Sequence, residues 1–143
     1  MMRFTLLTLA CTGVSVLAAP VPKELRKSDK LEGQWELVSL EARGRVVTPL
    51  KQRWRIEADK ITIEGNLPNA ALRPRPPLAI KVDAAASPRA LDYNVGPAQR
   101  PAIYEVDGDT LKILMNVTVA DERPKEMKPD DKTVLYVFQR VKE

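Results

Sequence analysis

Gln52-Arg53-Trp54-Arg55-Ile56-Glu57-Ala58-Asp59-Lys60-Ile61-Thr62-Ile63-Glu64-Gly65 is the stretch that decides the fold. Trp54 and Ile56 alternate with Arg53, Arg55 and Glu57, and Ile61 and Ile63 alternate with Lys60, Thr62 and Glu64. A period of two sends successive side chains to opposite faces of an extended chain, so each run makes a strand with one apolar and one wet face. Ala58-Asp59 leaves room only for a tight turn between them.

The same period recurs on both sides of this stretch. Leu78, Ile80 and Val82 alternate with Ala79, Lys81 and Asp83; Leu91, Tyr93 and Val95 alternate with Asp92, Asn94 and Gly96. Asp107-Gly108 separates Tyr104-Glu105-Val106 from the run Thr110 to Val119, a short-hairpin signal because both residues favour positive φ. Ser87-Pro88 marks another connection. The spacing predicts eight strands, at 34–41, 52–57, 60–65, 78–83, 90–95, 102–106, 110–119 and 133–141. Short antiparallel strands that follow one another as hairpins favour an up-and-down meander, which removes its exposed edges by closing into a barrel. Two loops break the rhythm. Asn66 to Pro77 is rich in proline, and Ala120 to Lys132 is dense in charge. Each reads either as a recognition segment or lid over a cavity mouth, or as a solvated connection that proline keeps out of the sheet.

Ahead of the strands lies an address. Met1-Met2-Arg3 precedes an uncharged apolar run from Phe4 to Leu17, and Val16-Leu17-Ala18 ends in the small residues that a signal peptidase reads. Residues 1–18 are expected to be a signal peptide cleaved after Ala18, residues 19–30 a leader with a short helix, and residues 31–143 the barrel domain. The apolar run is short for a membrane span and rich in Thr, Gly and Ser. Thr8-Leu9-Ala10 is a poor match to a lipoprotein signal before Cys11. An exported protein, periplasmic or extracellular, without stable membrane insertion is the expectation.

Composition excludes several chemistries. The chain of 143 residues has no His and one Cys, Cys11. It therefore builds no Ser-His-Asp triad, no Cys-His pair and no zinc site of Cys and His ligands. Once residues 1–18 are gone no disulfide is available either, and stability rests on a packed core. The net charge of +4 comes from 23 Lys+Arg and 19 Asp+Glu interleaved along the chain, which gives little support to nucleic-acid binding. Aromatic residues make up 5%, too few for a sugar-stacking surface.

Leu31-Glu32-Gly33-Gln34-Trp35-Glu36-Leu37-Val38-Ser39-Leu40-Glu41 resembles the opening of lipocalin-like barrels, where Gly-x-Trp follows a short helix and starts the first strand. It is similar above all to an uncharacterised lipocalin-like family of secreted planctomycete proteins. Ile103 to Ile113, Glu122-Arg123-Pro124 and Val137 to Lys142 fit that family too, so the resemblance covers roughly residues 24–143. It implies an eight-stranded antiparallel barrel with a short N-terminal helix. It also implies structural roles for Gly33, Trp35 and Arg140, with Trp35 plugging one barrel end under the guanidinium of Arg140. It implies no reaction and no ligand.

Other constellations are weak. Asp107-Gly108-Asp109 lacks the later acidic ligands of a calcium loop. Asp121-Glu122 and Asp130-Asp131 are paired acids, but on one loop, a poor base for fixed acid and base roles. Asn116-Val117-Thr118 is a glycosylation sequon placed mid-strand. No catalytic residue, metal ligand or cofactor is assigned, and no enzymatic activity is expected. Tyr93 and Tyr104, with Tyr136, can supply polar handles inside the barrel. Trp54, Ile80, Leu91, Met115 and Phe138 are candidates to line the same space. These side chains either fill the barrel or surround one small ligand. The expected function is uptake of a small apolar or amphipathic ligand; the alternative is a filled barrel acting through its outer surface as a cell-envelope or extracellular interaction module.

Overall fold

The computed structural model describes residues 30–47, 51–65, 76–118 and 122–142. Nine strands follow in order: β1 (Gly33–Ala42), β2 (Arg45–Val47), β3 (Gln52–Ile56), β4 (Lys60–Gly65), β5 (Leu78–Asp83), β6 (Arg89–Val95), β7 (Ala98–Asp107), β8 (Thr110–Asn116) and β9 (Thr133–Arg140). All neighbours are antiparallel, and β9 returns to pair with β1, so β1 and β3–β9 form a closed eight-stranded wall. β2 is a hairpin arm on the second half of β1, with Leu40 opposite Val47 and Ala42 opposite Arg45. Its two-residue turn, Arg43-Gly44, has positive φ at both positions (52° and 71°), the twist that tight hairpins require.

Seven of the eight expected strands differ from the observed ones by at most three residues at either end. The exception, expected at 102–106, begins at Ala98, because a Gly96-Pro97 turn sets Val95 opposite Ala98 and Pro101 is tolerated within the strand. The expected extension of β8 to Val119 is corrected: the strand ends at Asn116, which puts the sequon at a strand end. The hairpin at Asp107 is present with Asp107 opposite Thr110, but among its residues Gly108 alone carries positive φ (59°). The short helix expected before residue 31 lies outside the described residues, as do residues 1–29 and most of the proline-rich segment, 66–75.

The interior follows from the alternation. Val82, Leu91, Ala102, Met115 and Val134 stand in register across β5–β9, and Val106, Leu111, Phe138 and Leu37 form a second inward row. Trp35, Ala102, Leu111, Ile113 and Phe138 are fully excluded from solvent. Each large apolar side chain so buried contributes about 1.5–3 kcal/mol relative to exposure. β1 changes parity midway. A bulge between Leu37 and Ser39 leaves Val38 without a partner and exposed, so Trp35 and Leu37 face inward before it, and Leu40 and Ala42 after it.

A second apolar row lies on the outside of the wall. Ala90, Ile103, Leu114 and Leu135 are in register on the face opposite the core, and Ile103 and Leu114 are wholly buried. The charged segment expected to be a lid or a solvated connection is the strap that lies on this side. Arg123 donates to the Ala102 carbonyl at 2.9 Å and pairs with Asp92 on β6 at 2.6 Å. Asn116 donates its side-chain amide to the Glu122 carbonyl. Val117 donates to the Lys132 carbonyl at 2.8 Å, and Asp130 caps the final turn by accepting from Lys132.

Phe138→Ala is expected to lower unfolding free energy by about 3–5 kcal/mol in urea titrations. Val46→Ser, on the exposed β2 arm, is expected to stay within about 0.5 kcal/mol of the parent.

Candidate functional site

Two ends of the barrel differ in kind. The first is formed by the start of β1, the β3–β4, β5–β6 and β7–β8 turns, and the end of β9. It is plugged. The Trp35 indole is fully buried and donates from Nε1 to the Leu31 carbonyl at 2.8 Å. The Arg140 guanidinium lies over its ring, 4.1 Å from the centroid. Arg140 also donates to the Lys30 and Glu32 carbonyls at 2.7 and 3.2 Å, and its Nε sits 3.7 Å from an Asp109 carboxylate oxygen. The juxtaposition that the Gly-x-Trp resemblance implies for Trp35 and Arg140 is therefore present. Gly33 has a φ of 140°, and a Cβ built on it would come within 2.9 Å of an Arg140 nitrogen, so a side chain here would meet both backbone strain and the guanidinium. Asp109, considered above as part of a calcium loop, is used in ion pairs with Arg140 and Lys142.

The interior holds all seven side chains singled out from the sequence as lining residues. Trp54, Leu91, Tyr93, Tyr104, Met115 and Phe138 belong to the buried core, with Ile80 packed half-buried against it. Trp54, Tyr136 and Phe138 form a ring cluster, with centroid separations of 5.5 Å for Trp54–Tyr136 and 4.7 Å for Trp54–Phe138, spacing at which aromatic pairs attract beyond their buried area. Trp54 Nε1 donates to Gln52 Oε1.

The opposite end is built from the ends of β1, β4, β6 and β8 and the starts of β5, β7 and β9. Here the inward row Ile80–Tyr93–Arg100 places an arginine inside the wall. Its Nε is enclosed and has no hydrogen-bond partner among the described residues. The Tyr93 hydroxyl donates to the Met115 sulfur. Arg100 escapes the sequence reading because the strand was expected to begin at Ala102. Counting back two residues from that inward alanine reaches it, on the same face of the strand.

Burial raises the pKa of all three tyrosines above 10.0. For Tyr93 the nearby Arg100 opposes that shift, as Arg89 does for Tyr104. For Tyr136 the Tyr93 hydroxyl adds to it and Arg100 opposes it.

The clefts at the surface are of another character. One, of about 610 Å³, lies between the strap and the outer faces of β5 and β6, bounded by Lys81, Asp83, Asp92, Arg123 and Lys125. A smaller one of about 310 Å³ lies beside the plug, between Leu31, Val82 and Tyr104. The paired acids do not converge on a site: Glu122 engages Asn116 through its carbonyl, Asp130 caps a turn, and Asp121 lies outside the described residues. Among the described residues no group of three or more acidic, His or Cys side chains could hold a metal ion. No known protein family, curated protein or solved structure matches the chain.

Arg140→Met is expected to cost about 2–3 kcal/mol in urea unfolding, from the lost ring contact and the unpaired carbonyls. Gly33→Ala is expected to destabilise in the same direction, and Arg140→Met is expected to soften its effect because the guanidinium that its Cβ meets is gone. Alkaline titration followed by tyrosinate absorbance gives a further check. A raised folded-state pKa means that the unfolded chain loses its tyrosine protons first. Stability is thus full below pH 10 and declines as pH climbs from there through the folded-state values. Tyrosinate absorbance and unfolding are expected to rise together above that point; three tyrosines titrating near 10 in a folded protein would contradict the burial.

Proposed function

We propose that the protein is an exported, non-enzymatic, lipocalin-like barrel that takes up one small apolar or amphipathic molecule at the end opposite Trp35. The observation that carries this reading is the asymmetry of the two ends. One is sealed by an indole, a guanidinium and backbone carbonyls. At the other, an arginine and two tyrosines face an otherwise apolar interior. Apolar walls with a few placed polar groups are the usual make-up of small-molecule sites. Affinity would come from burying ligand surface, at about 25 cal/mol per Å² of apolar area, with Tyr93, Tyr136 or Arg100 orienting a polar end; Tyr104 lies toward the plugged end. Trp54, Ile80, Leu91, Met115 and Phe138 supply the apolar lining. No metal, cofactor or nucleic acid enters this function. Export rests on residues 1–18, whose charged start, apolar run and small-residue end have the form of a signal peptide.

A second reading has its own observation. The Trp54–Tyr136–Phe138 ring cluster occupies interior volume, and the cleft of about 610 Å³ lies outside, on a charged surface shared by the strap and the wall. That favours a filled barrel that meets another macromolecule through its outer face.

Native mass spectrometry of the protein purified from its own host separates the two. Uptake predicts a stoichiometric small-molecule adduct that leaves on collisional activation. A bare mass, together with unchanged Trp54 fluorescence on adding an apolar probe, would rule uptake out and leave the outer-face module.

A further inference from the structure

The outer apolar row is longer than its cover. On the face away from the core it runs in register from Ala90 through Ile103 and Leu114 to Leu135, then past Glu41 to Val46 on the β2 arm. Ile103 and Leu114 are wholly buried on the strap side, whereas Leu135 is half-buried and Val46 is 75% exposed. The next outward row carries Ser39, Val137 and Lys112. The bulge presents Val38, 49% exposed, beside the Ser39–Val137 pair. Val38, Val46, Leu135 and Val137 thus make an aliphatic face across β2, β1 and β9 whose side chains are half-buried or exposed.

Two opposite charges bracket this face on a diagonal. Glu41 on β1 stands beside Leu135, and Lys112 on β8 stands beside Val137, one row further along. Neither has an ion-pair partner among the described residues, although Glu105 lies across from Lys112. Strand β9 runs midway between the two charges. A two-fold axis lying in the face, and crossing β9 between Leu135 and Val137, therefore carries Glu41 of one copy onto Lys112 of the other. An apolar middle with one acid and one base at symmetric positions is complementary to itself, which is what a two-fold interface requires. A lipid surface would call for charges of one sign.

We propose that the β2–β1–β9 outer face is a dimer contact with a second copy of this chain, closed by two symmetric Glu41–Lys112 ion pairs around Val38, Leu135 and Val137. Few aliphatic side chains take part, against about 20–30 residues a side in a standard interface, so the contact belongs to the weak and reversible class. It is independent of ligand uptake, because every residue it uses points away from the interior. It also leaves the Trp35 plug and the strap cleft free.

Sedimentation equilibrium of the full mature chain, residues 19–143, tests this between about 5 µM and about 1 mM at low and high salt. Monomer at the lowest concentration and a dimer fraction that grows above about 100 µM, and that salt reduces, is the expected result. Glu41→Lys and Lys112→Glu are each expected to weaken association at least about fivefold, because symmetry makes every substitution count twice. They move the net charge in opposite directions, so a loss in both is not general repulsion. The chain carrying both substitutions is expected to return to within about twofold of the parent, a recovery that a fault in folding would not produce. Val38→Ser is expected to weaken association in the parent and in the double swap alike, with the urea midpoint of the dilute protein unchanged. A chain that stays monomeric at the highest concentration overturns the proposal. So does a dimer that ignores the single substitutions or is not recovered by the double swap. A monomeric chain whose urea midpoint falls sharply in Val38→Ser overturns it as well, and assigns the cover of this face to another segment of the same chain.

Discussion

One guanidinium holds the closed end of this barrel together. Arg140 sits on the last strand, covers the ring of Trp35 on the first, and reaches the carbonyls of Lys30 and Glu32 in the segment before it. Asp109, in the β7–β8 turn, faces it as well. Three parts of the chain that are far apart in sequence, residues 30–35, the β7–β8 turn and the end of β9, therefore meet at one side chain. The closure matters because β1 and β9 would otherwise be free edges, each with a row of unpaired backbone groups ready to pair with another chain. Their register runs from Trp35 opposite Arg140 to Ala42 opposite Val134. The indole under the guanidinium fixes where that register starts.

From that anchor the rest of the wall follows by alternation, and this explains how much could be read from residues alone. Strands β3 to β6 carry unbroken apolar–polar alternation, so both their extent and their inward faces were legible. Trp54, Leu91 and Tyr93 are buried as their parity requires. The reading failed where alternation is not the controlling signal. The bulge at Val38 switches parity inside β1, and no pattern in Leu37-Val38-Ser39-Leu40 announces it. The β2 arm depends on Arg43 taking positive φ, which a non-glycine residue rarely does. β7 starts four residues before the expected position 102, with Pro101 accommodated opposite Asp92. That miss concealed Arg100, the most informative residue of the interior.

The strap shows a different limit. Its charges and prolines read as a wet connection, and its individual residues give no sign of what lies beneath. The signal sits elsewhere, in Ile103 and Leu114, which are apolar on both sides of their parity: Ala102 and Tyr104, Ile113 and Met115 are buried inside while Ile103 and Leu114 are buried outside. A strand apolar on both faces needs cover on both. Arg123 supplies two ties of that cover, one to the backbone of β7 and one to Asp92. The charge-rich composition is thus spent on the outer rim of an apolar contact, away from the interior. The division of labour is spatial: a plug at one end, a strap on one side, and the inward arginine at the other end.

Amide and indole hydrogen exchange tests the central claim most directly, because closure leaves a distinct record in protons that a free edge would lose. The account predicts that the Trp35 indole proton, hydrogen-bonded to the Leu31 carbonyl, exchanges as slowly as the core amides of β7 and β8, and that the β1–β9 amides from Leu37 to Tyr136 share that protection. The Trp54 indole, bonded only to a side chain, is the internal comparison. Rapid exchange along the β1–β9 seam, or a Trp35 indole proton lost faster than that of Trp54, would mean that the wall is open where the account says it is shut.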